Sequence, residues 1–387
     1  IPCAALLVTG FLFFPSAGRD DAHITCWAAH SLADSGQILN YNGERVEQSS
    51  SLLQVLILAT LEVATGVDTL TLAKLSSIFF GLLTVFGVFT LAGRMAGPPF
   101  AFAAALLSSL SVYFVYWSFS GMESSLAACA GTWLLVAAAD YVSGRSHGRI
   151  TWAVAAMPAF LAVRPESPIL LFAVLACAVV AVVVKAAMSH GAKTTRGQIL
   201  VRLHFLLLLC VALSCALLLF RWWRFGKLFP EPVTAKCAGL SYEAIRFGAK
   251  YIGDALFGNN PFMTVLSWVT IAGLIVVLFV ELSAKTLNLH ASLVLLYIAG
   301  YAMFTVLSGG DWMEGGRFLV FCLPVAVALI PVALSRLSRR LMPLVISTVL
   351  LVAMQAAAVI EFARYSSVSL PIWSTPPSGE DYAGYSW

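Results

Sequence analysis

Carboxylates and basic side chains recur in this chain where long apolar runs break off. The first such point reads AGRDDAHIT (residues 17–25): Arg19 stands beside Asp20 and Asp21, and His23 follows three residues after Asp20. Next come Glu44, Arg45 and Glu47 in NGERVEQSSS (42–51), Glu123 after the turn SFSGM, and Arg164 and Glu166 flanking Pro165. Arg221 and Arg224 end a further run, Lys227 and Lys236 lie in the loop beyond it, and Asp311, Glu314 and Arg317 share GGDWMEGGR (309–317). Carboxylates serve as general bases or metal ligands, whereas Arg and Lys hold an anionic phosphate. Taken singly, each residue is explained without a site, because acidic residues favour a helix start and charges anchor the ends of membrane spans. Six loops bringing both signs to one face imply a polar cavity there, suited to a lipid-phosphate-linked substrate with a polar head group.

The elements that must position these residues are legible in the composition. The chain has 387 residues, 60% of them hydrophobic and 11% charged, with a mean hydropathy of +0.89. That leaves too few polar residues to cover a soluble surface. Apolar runs near the roughly 20 residues needed to cross a bilayer recur from end to end. They give about eleven crossings, at 1–17, 70–93, 99–117, 122–141, 150–163, 166–188, 203–222, 262–282, 290–307, 317–334 and 342–362. The expected fold class is all-α, a polytopic transmembrane helical bundle. The run 1–17 is read as a crossing rather than a signal peptide, since no basic region precedes it. Of eight cysteines, Cys129, Cys177, Cys210, Cys215 and Cys322 fall inside apolar runs, with neither metal spacing nor a disulfide framework. No dinucleotide or P-loop fingerprint occurs, and nothing points to nucleic acid.

Short loops rich in Lys and Arg stay in the cytoplasm. Arg94; Arg145 and Arg149; Lys193, Arg196 and Arg202; Lys285; and Arg336, Arg339 and Arg340 all fall on one face with these crossings. The stretch SSSLLQVLILATLEVATG (49–66), which carries Gln54 and Glu62, is read as an interfacial helix on the other face. That outer face then holds the first loop (18–69), the long loop 223–261, GGDWMEGGR and a short tail (364–387). A plasma (inner) membrane location follows, with the polar cavity facing the periplasm or cell exterior. Residues 19–34 have helical character, closed by Gly36.

The acidic doublet, GERVE, SGMES, VRPES, RFGKLFPEPVTAK and GGDWMEGGRF, in this order, resemble the GT-C superfamily of membrane glycosyltransferases. The order is most similar to bacterial enzymes that use polyprenyl-phosphate-arabinofuranose. The resemblance runs from Arg19 to about Arg317 and makes residues 1–363 a GT-C-like transmembrane catalytic domain. It implies transfer of a sugar, arabinofuranose in the nearest relatives, from a polyprenyl-phosphate donor to an extracytoplasmic glycan, lipid or protein acceptor. It assigns the catalytic carboxylate to Asp20 or Asp21, with Asp20 favoured because it begins the motif. It gives the donor phosphate to Arg164, Lys236 and Arg317, with Lys74 and Arg221 behind them, and expects the first three to converge on one anion. Sugar or acceptor contacts fall to His23, Glu47, Glu123, Glu166 and Asp311. A divalent cation (Mg or Mn) on Asp20 and Asp21 is left open, since carboxylates with Arg and Lys suffice without one.

The chain departs from those relatives in three places. His23 replaces a usual aromatic, QSSS follows ERVE in place of a Gly-Tyr/Thr-Thr/Ser-like run, and LFPEPVTAK replaces a Pro-Asn-aromatic pattern. A transporter or flippase for a lipid-linked or anionic substrate is the rival reading. Transporters place charges near the midplane and show internal repeats; here the charges gather at one face and the two halves show no repeat.

Overall fold

The computed structural model describes residues 1–15, 21–144, 150–188, 193–236, 241–258, 260–284, 288–311, 313 and 315–366. Among these, all regular structure is helical: α1 (Pro2–Phe13), α2 (Asp21–Ser35), α3 (Leu52–Thr65), α4 (Thr69–Ala96), α5 (Pro98–Leu110), α6 (Val112–Ser118), α7 (Ser124–Val142), α8 (Ile150–Val163), α9 (Ser167–Met188), α10 (Lys193–Phe225), α11 (Glu231–Lys236), α12 (Tyr242–Phe257), α13 (Pro261–Ser283), α14 (Leu289–Leu307), α15 (Arg317–Val320), α16 (Leu323–Leu337) and α17 (Leu341–Ser366). Seven of the helices, α4, α7, α9, α10, α13, α14 and α17, are long and apolar enough to cross a membrane. The expected crossing 99–117 is α5 and α6, bent by 66° at Ser111, and makes an eighth if the pair is one span. The expected crossings 1–17, 150–163 and 317–334 fall on shorter apolar helices, α1, α8 and α16. The last is shortened because Phe321 and Cys322 separate α15 from α16, which restarts with Pro324 in its first turn; the fixed φ of Pro suits a helix start. The segment read as interfacial is α3, and it packs on α2 and α4.

Helix α7 forms the centre, buried along nearly its whole length against α4, α8 and α14. Its sequence, SSLAACAGTWLLVAAADYV, is rich in Ala, Ser and Gly, which lets neighbouring backbones come close where lipid supplies no hydrophobic drive between helices. Gly131 shows how close: a Cβ there would lie 1.9 Å from the Tyr297 hydroxyl on α14.

Two ends of the bundle are polar in different ways. At one, Asp140 near the end of α7 meets Arg94 near the end of α4 (3.3 Å) and His290 at the start of α14 (3.0 Å). Beside them Lys185 of α9 donates to the Glu281 and Ala284 carbonyls, and Arg336 of α16 stands 3.7 Å from Glu281 of α13. The other end gathers the start of α2, the 36–51 loop, the starts of α7 and α9, the end of α10 and the 308–316 turn.

Candidate functional site

At that second end carboxylates and arginines form three groups, the first two of which touch. In the first, Arg317 donates through Nε to Asp311 Oδ2 at 2.6 Å and through Nη1 to Asp21 Oδ2 at 3.2 Å. The Arg317 and Asp311 side chains are 4% and 2% exposed, whereas Asp21 keeps 28%. Asp21 opens α2, where the helix dipole favours a negative charge. Arg317 is delivered by a turn that only this sequence type allows. Gly309, Gly310, Gly315 and Gly316 all adopt positive φ, between 59° and 83°, a region costly for other residues. Trp117 of α6 fixes the turn by donating from Nε1 to the Gly315 carbonyl at 2.7 Å, and the Tyr251 hydroxyl of α12 accepts the Phe318 N–H at 3.3 Å.

In the second group, Arg164, in the turn between α8 and α9, donates to Glu123 Oε1 at 2.5 Å, to Glu166 Oε1 at 2.9 Å and to Ser50 Oγ at 3.3 Å. Ser50 in turn donates to Glu123 at 3.0 Å. The Phe318 ring links the two groups: its centroid is 5.4 Å from the Arg164 guanidinium and 5.6 Å from that of Arg317. Such cation–ring contacts gain strength when desolvated. Burial works against the charge of Glu123, but Arg164 and then Arg317 outweigh it and hold the carboxyl below the usual carboxylate range.

The third group is a bidentate pair. Arg221, near the end of α10, donates to Glu47 through Nε (2.8 Å) and Nη2 (3.1 Å), and both side chains are buried. Burial pushes the Glu47 carboxyl up in spite of Arg221. The Glu47 carbonyl accepts the Glu231 N–H at 3.0 Å, which ties the start of α11 to the first loop.

The sequence-predicted residues divide accordingly. Asp21, Glu47, Glu123, Glu166, Arg164, Arg221, Asp311 and Arg317 come together. Arg164 and Arg221, expected on a donor phosphate, are each engaged by carboxylates, and Arg317 is shared between two. His23 offers its carbonyl to the Tyr41 hydroxyl (3.3 Å), and Lys74 donates to the Pro15 carbonyl (2.9 Å). Asp20 and Glu314 lie outside the described residues; Lys236 ends α11, and only its backbone is described. Sequence reasoning missed Ser50, Trp117, Tyr251 and Phe318. Only Ser50 left a trace, in the SSS run before an apolar helix, where Ser51 is the N-cap of α3.

Chemically, the first group pairs an accessible carboxylate with an arginine whose Nη2 has no acceptor among the described residues. Phosphate binding by that arginine and proton abstraction at the neighbouring aspartates are the chemistry such a pair supports.

No family model matches the sequence, and no curated protein does. Solved structures of similar architecture do exist. ArnT from Cupriavidus metallidurans, bound to undecaprenyl phosphate, aligns at TM-score 0.57 and 16% identity over 87% of this chain and 59% of its own. The oligosaccharyltransferase AglB from Archaeoglobus fulgidus, in complex with an inhibitory peptide and a dolichol-phosphate, gives 0.58 and 12% over 98% and 57%. The A. fulgidus oligosaccharyltransferase in complex with Zn and sulfate gives 0.57 and 14% over 98% and 54%. The chain thus shares the helical fold of these structures and spans a little over half of their length.

The Zn complex raises the question of a cation. Among the described residues no three His, Cys, Asp or Glu side chains come together. Asp21 and Asp311, the two carboxylates nearest such a role, are both turned to Arg317.

Proposed function

We propose that this chain is the transmembrane catalytic part of a glycosyltransferase that takes a sugar from a polyprenyl-phosphate donor at the extracytoplasmic face of the plasma membrane. The observation that supports it most is the Arg317–Asp21 bond. It joins residues 296 positions apart, at one end of a fold shared with proteins solved with undecaprenyl phosphate and dolichol phosphate. In this reading Arg317 holds the donor phosphate and stabilises it as it departs. The aspartate doublet takes the proton from the acceptor hydroxyl, Asp20 by motif order, with Asp21 orienting Arg317. Arg164 and Arg221 act indirectly: they fix Glu123, Glu166 and Glu47, and through Phe318 the seat of Arg317. Lys236 and Lys74 remain candidates to complete the phosphate shell, with His23 beside the doublet. Arabinofuranose is the sugar suggested by motif order, and a glycan, lipid or protein carries the acceptor hydroxyl.

The test is direct. Purified protein in lipid nanodiscs receives polyprenyl phosphate carrying radiolabelled arabinofuranose and, separately, other sugars, together with cell-envelope acceptor fractions. Label moving to an acceptor with release of polyprenyl phosphate supports the reading. Lipid-linked sugar crossing the bilayer without transfer would assign the chain to the flippases instead.

A further inference from the structure

At the end of the bundle away from Arg317, the last turns of α4 and α16 and the first turn of α5 leave a cleft of about 630 Å³. Helix α16 begins six residues after Arg317 and runs 15 residues to this cleft, so the two sites lie roughly 22 Å apart along its axis. Met95 and Phe100 are buried apolar residues in the lining, and Ser335, Arg336, Ser338 and Arg339 supply its polar part. Charge there is unbalanced. Arg336 shares Glu281 at 3.7 Å, and that carboxylate already accepts the Asn288 N–H at 3.0 Å. Arg339 is exposed and has no acidic partner among the described residues. Ser338 Oγ accepts the Arg340 N–H at 3.2 Å, and its own hydrogen has no acceptor among the described residues.

The surroundings identify what suits these donors. Leu337, which lines the cleft, is 69% exposed, and Leu341 and Met342, which open the spanning helix α17 beside it, are 57% and 70% exposed. In a bundle with α17 in the membrane, such side chains face lipid. A ligand that meets both halves has an anionic phosphodiester for the two arginines and the serine hydroxyl, and acyl chains for the apolar rim. We propose that this cleft binds the headgroup of an anionic phospholipid in the leaflet opposite the Arg317 site. Guanidinium forks match phosphate oxygens, and each juxtamembrane arginine adds about fivefold in affinity for an anionic lipid.

The experiment is native mass spectrometry of the detergent-solubilised chain, titrated with phosphatidylglycerol and, separately, phosphatidylcholine. Wild-type protein is expected to retain one phosphatidylglycerol at least tenfold more tightly than phosphatidylcholine. Arg339→Gln, which breaks no side-chain hydrogen bond or ion pair among the described residues, should weaken phosphatidylglycerol about fivefold while leaving gel-filtration behaviour and helical circular dichroism unchanged. Arg336→Gln combined with Arg339→Gln should erase the preference; if the double variant fails to fold, Arg339→Gln alone decides. Equal retention of the two lipids by wild type, or unchanged phosphatidylglycerol binding in a folded Arg339→Gln protein, would overturn the proposal. Displacement of phosphatidylglycerol by millimolar inorganic phosphate would also overturn it, since the cleft would then be a site for soluble anions.

Discussion

Glu123 and Glu47 are both buried beside an arginine, yet their carboxyls move in opposite directions. Glu123 has Arg164, Arg317 and the Ser50 hydroxyl, enough to overcome burial; Glu47 has Arg221 alone. A depressed carboxyl stabilises the fold above the usual unfolded value near about 4.3 and loses that contribution as pH falls through its own lower value. Glu123→Gln, which leaves Arg164 partly uncompensated, should therefore cost about 3 kcal/mol at pH 7. The gap to wild type should narrow in thermal melts taken from pH 5 down to pH 3. A gap that stays constant would show that the charge of Glu123 contributes nothing. The aspartate doublet is tested by activity rather than stability. Asn caps a helix about as well as Asp, so Asp20→Asn should leave expression and melting nearly unchanged. Transfer should fall by roughly two or more orders of magnitude, because Asn cannot accept the proton. Asp21→Asn, which leaves Asp311 on Arg317, should be the milder change. Full activity in Asp20→Asn with none in Asp21→Asn would move the base to Asp21.

At the level of elements, the 308–316 turn depends on neighbours distant in sequence. Trp117→Phe keeps the ring that packs inside the bundle but removes the only side-chain hydrogen bond found on the Gly315 carbonyl among the described residues. We expect near-normal folding and a roughly tenfold loss of turnover, with the deficit in kcat more than in KM, since in the proposed reaction Arg317 stabilises the departing phosphate. An effect on stability alone would make Trp117 a packing residue. The helices were largely readable from apolar runs, because a span must satisfy its backbone internally. The bend at Ser111 and the break at Phe321–Cys322 were not, since a hydropathy window averages over one extended or turn residue. The partners of the arginines were also illegible. Glu47 lies 174 positions from Arg221 and Ser50 lies 114 from Arg164, and charge alone cannot choose among equally plausible partners. The sequence showed which residues share an end, and packing chose the pairs.

For the whole molecule, sidedness is the property on which both the proposed reaction and the proposed lipid cleft depend. The ends of α4, α7, α13 and α16 and the start of α14 gather at one pole through Arg94–Asp140, His290–Asp140 and Arg336–Glu281. Cysteine placed at Ser146, on a background without accessible native cysteines, should resist a membrane-impermeant thiol reagent in intact cells and react after permeabilisation. Labelling in intact cells would invert the orientation and move the Arg317 group to the cytoplasm.

On the proposed reading, the place of Arg317 between two aspartates also bears on the order of turnover. In the proposed reaction a donor phosphate drawn to the guanidinium competes with its weaker ligand, Asp21 at 3.2 Å beside Asp311 at 2.6 Å. Loosening that bond takes one neutralising neighbour away from the doublet, and like charges close together raise each other's proton affinity. The doublet thus becomes the better base only after the donor has arrived. Acceptor that comes first meets a doublet whose Asp21 is still held by Arg317. Steady-state kinetics should accordingly show an ordered mechanism, donor before acceptor. An unreactive polyprenyl-phosphate analogue should compete with the donor and be noncompetitive against the acceptor, and a dead-end acceptor analogue should be uncompetitive against the donor. A random-order pattern would show that Asp21 and Arg317 part without the lipid.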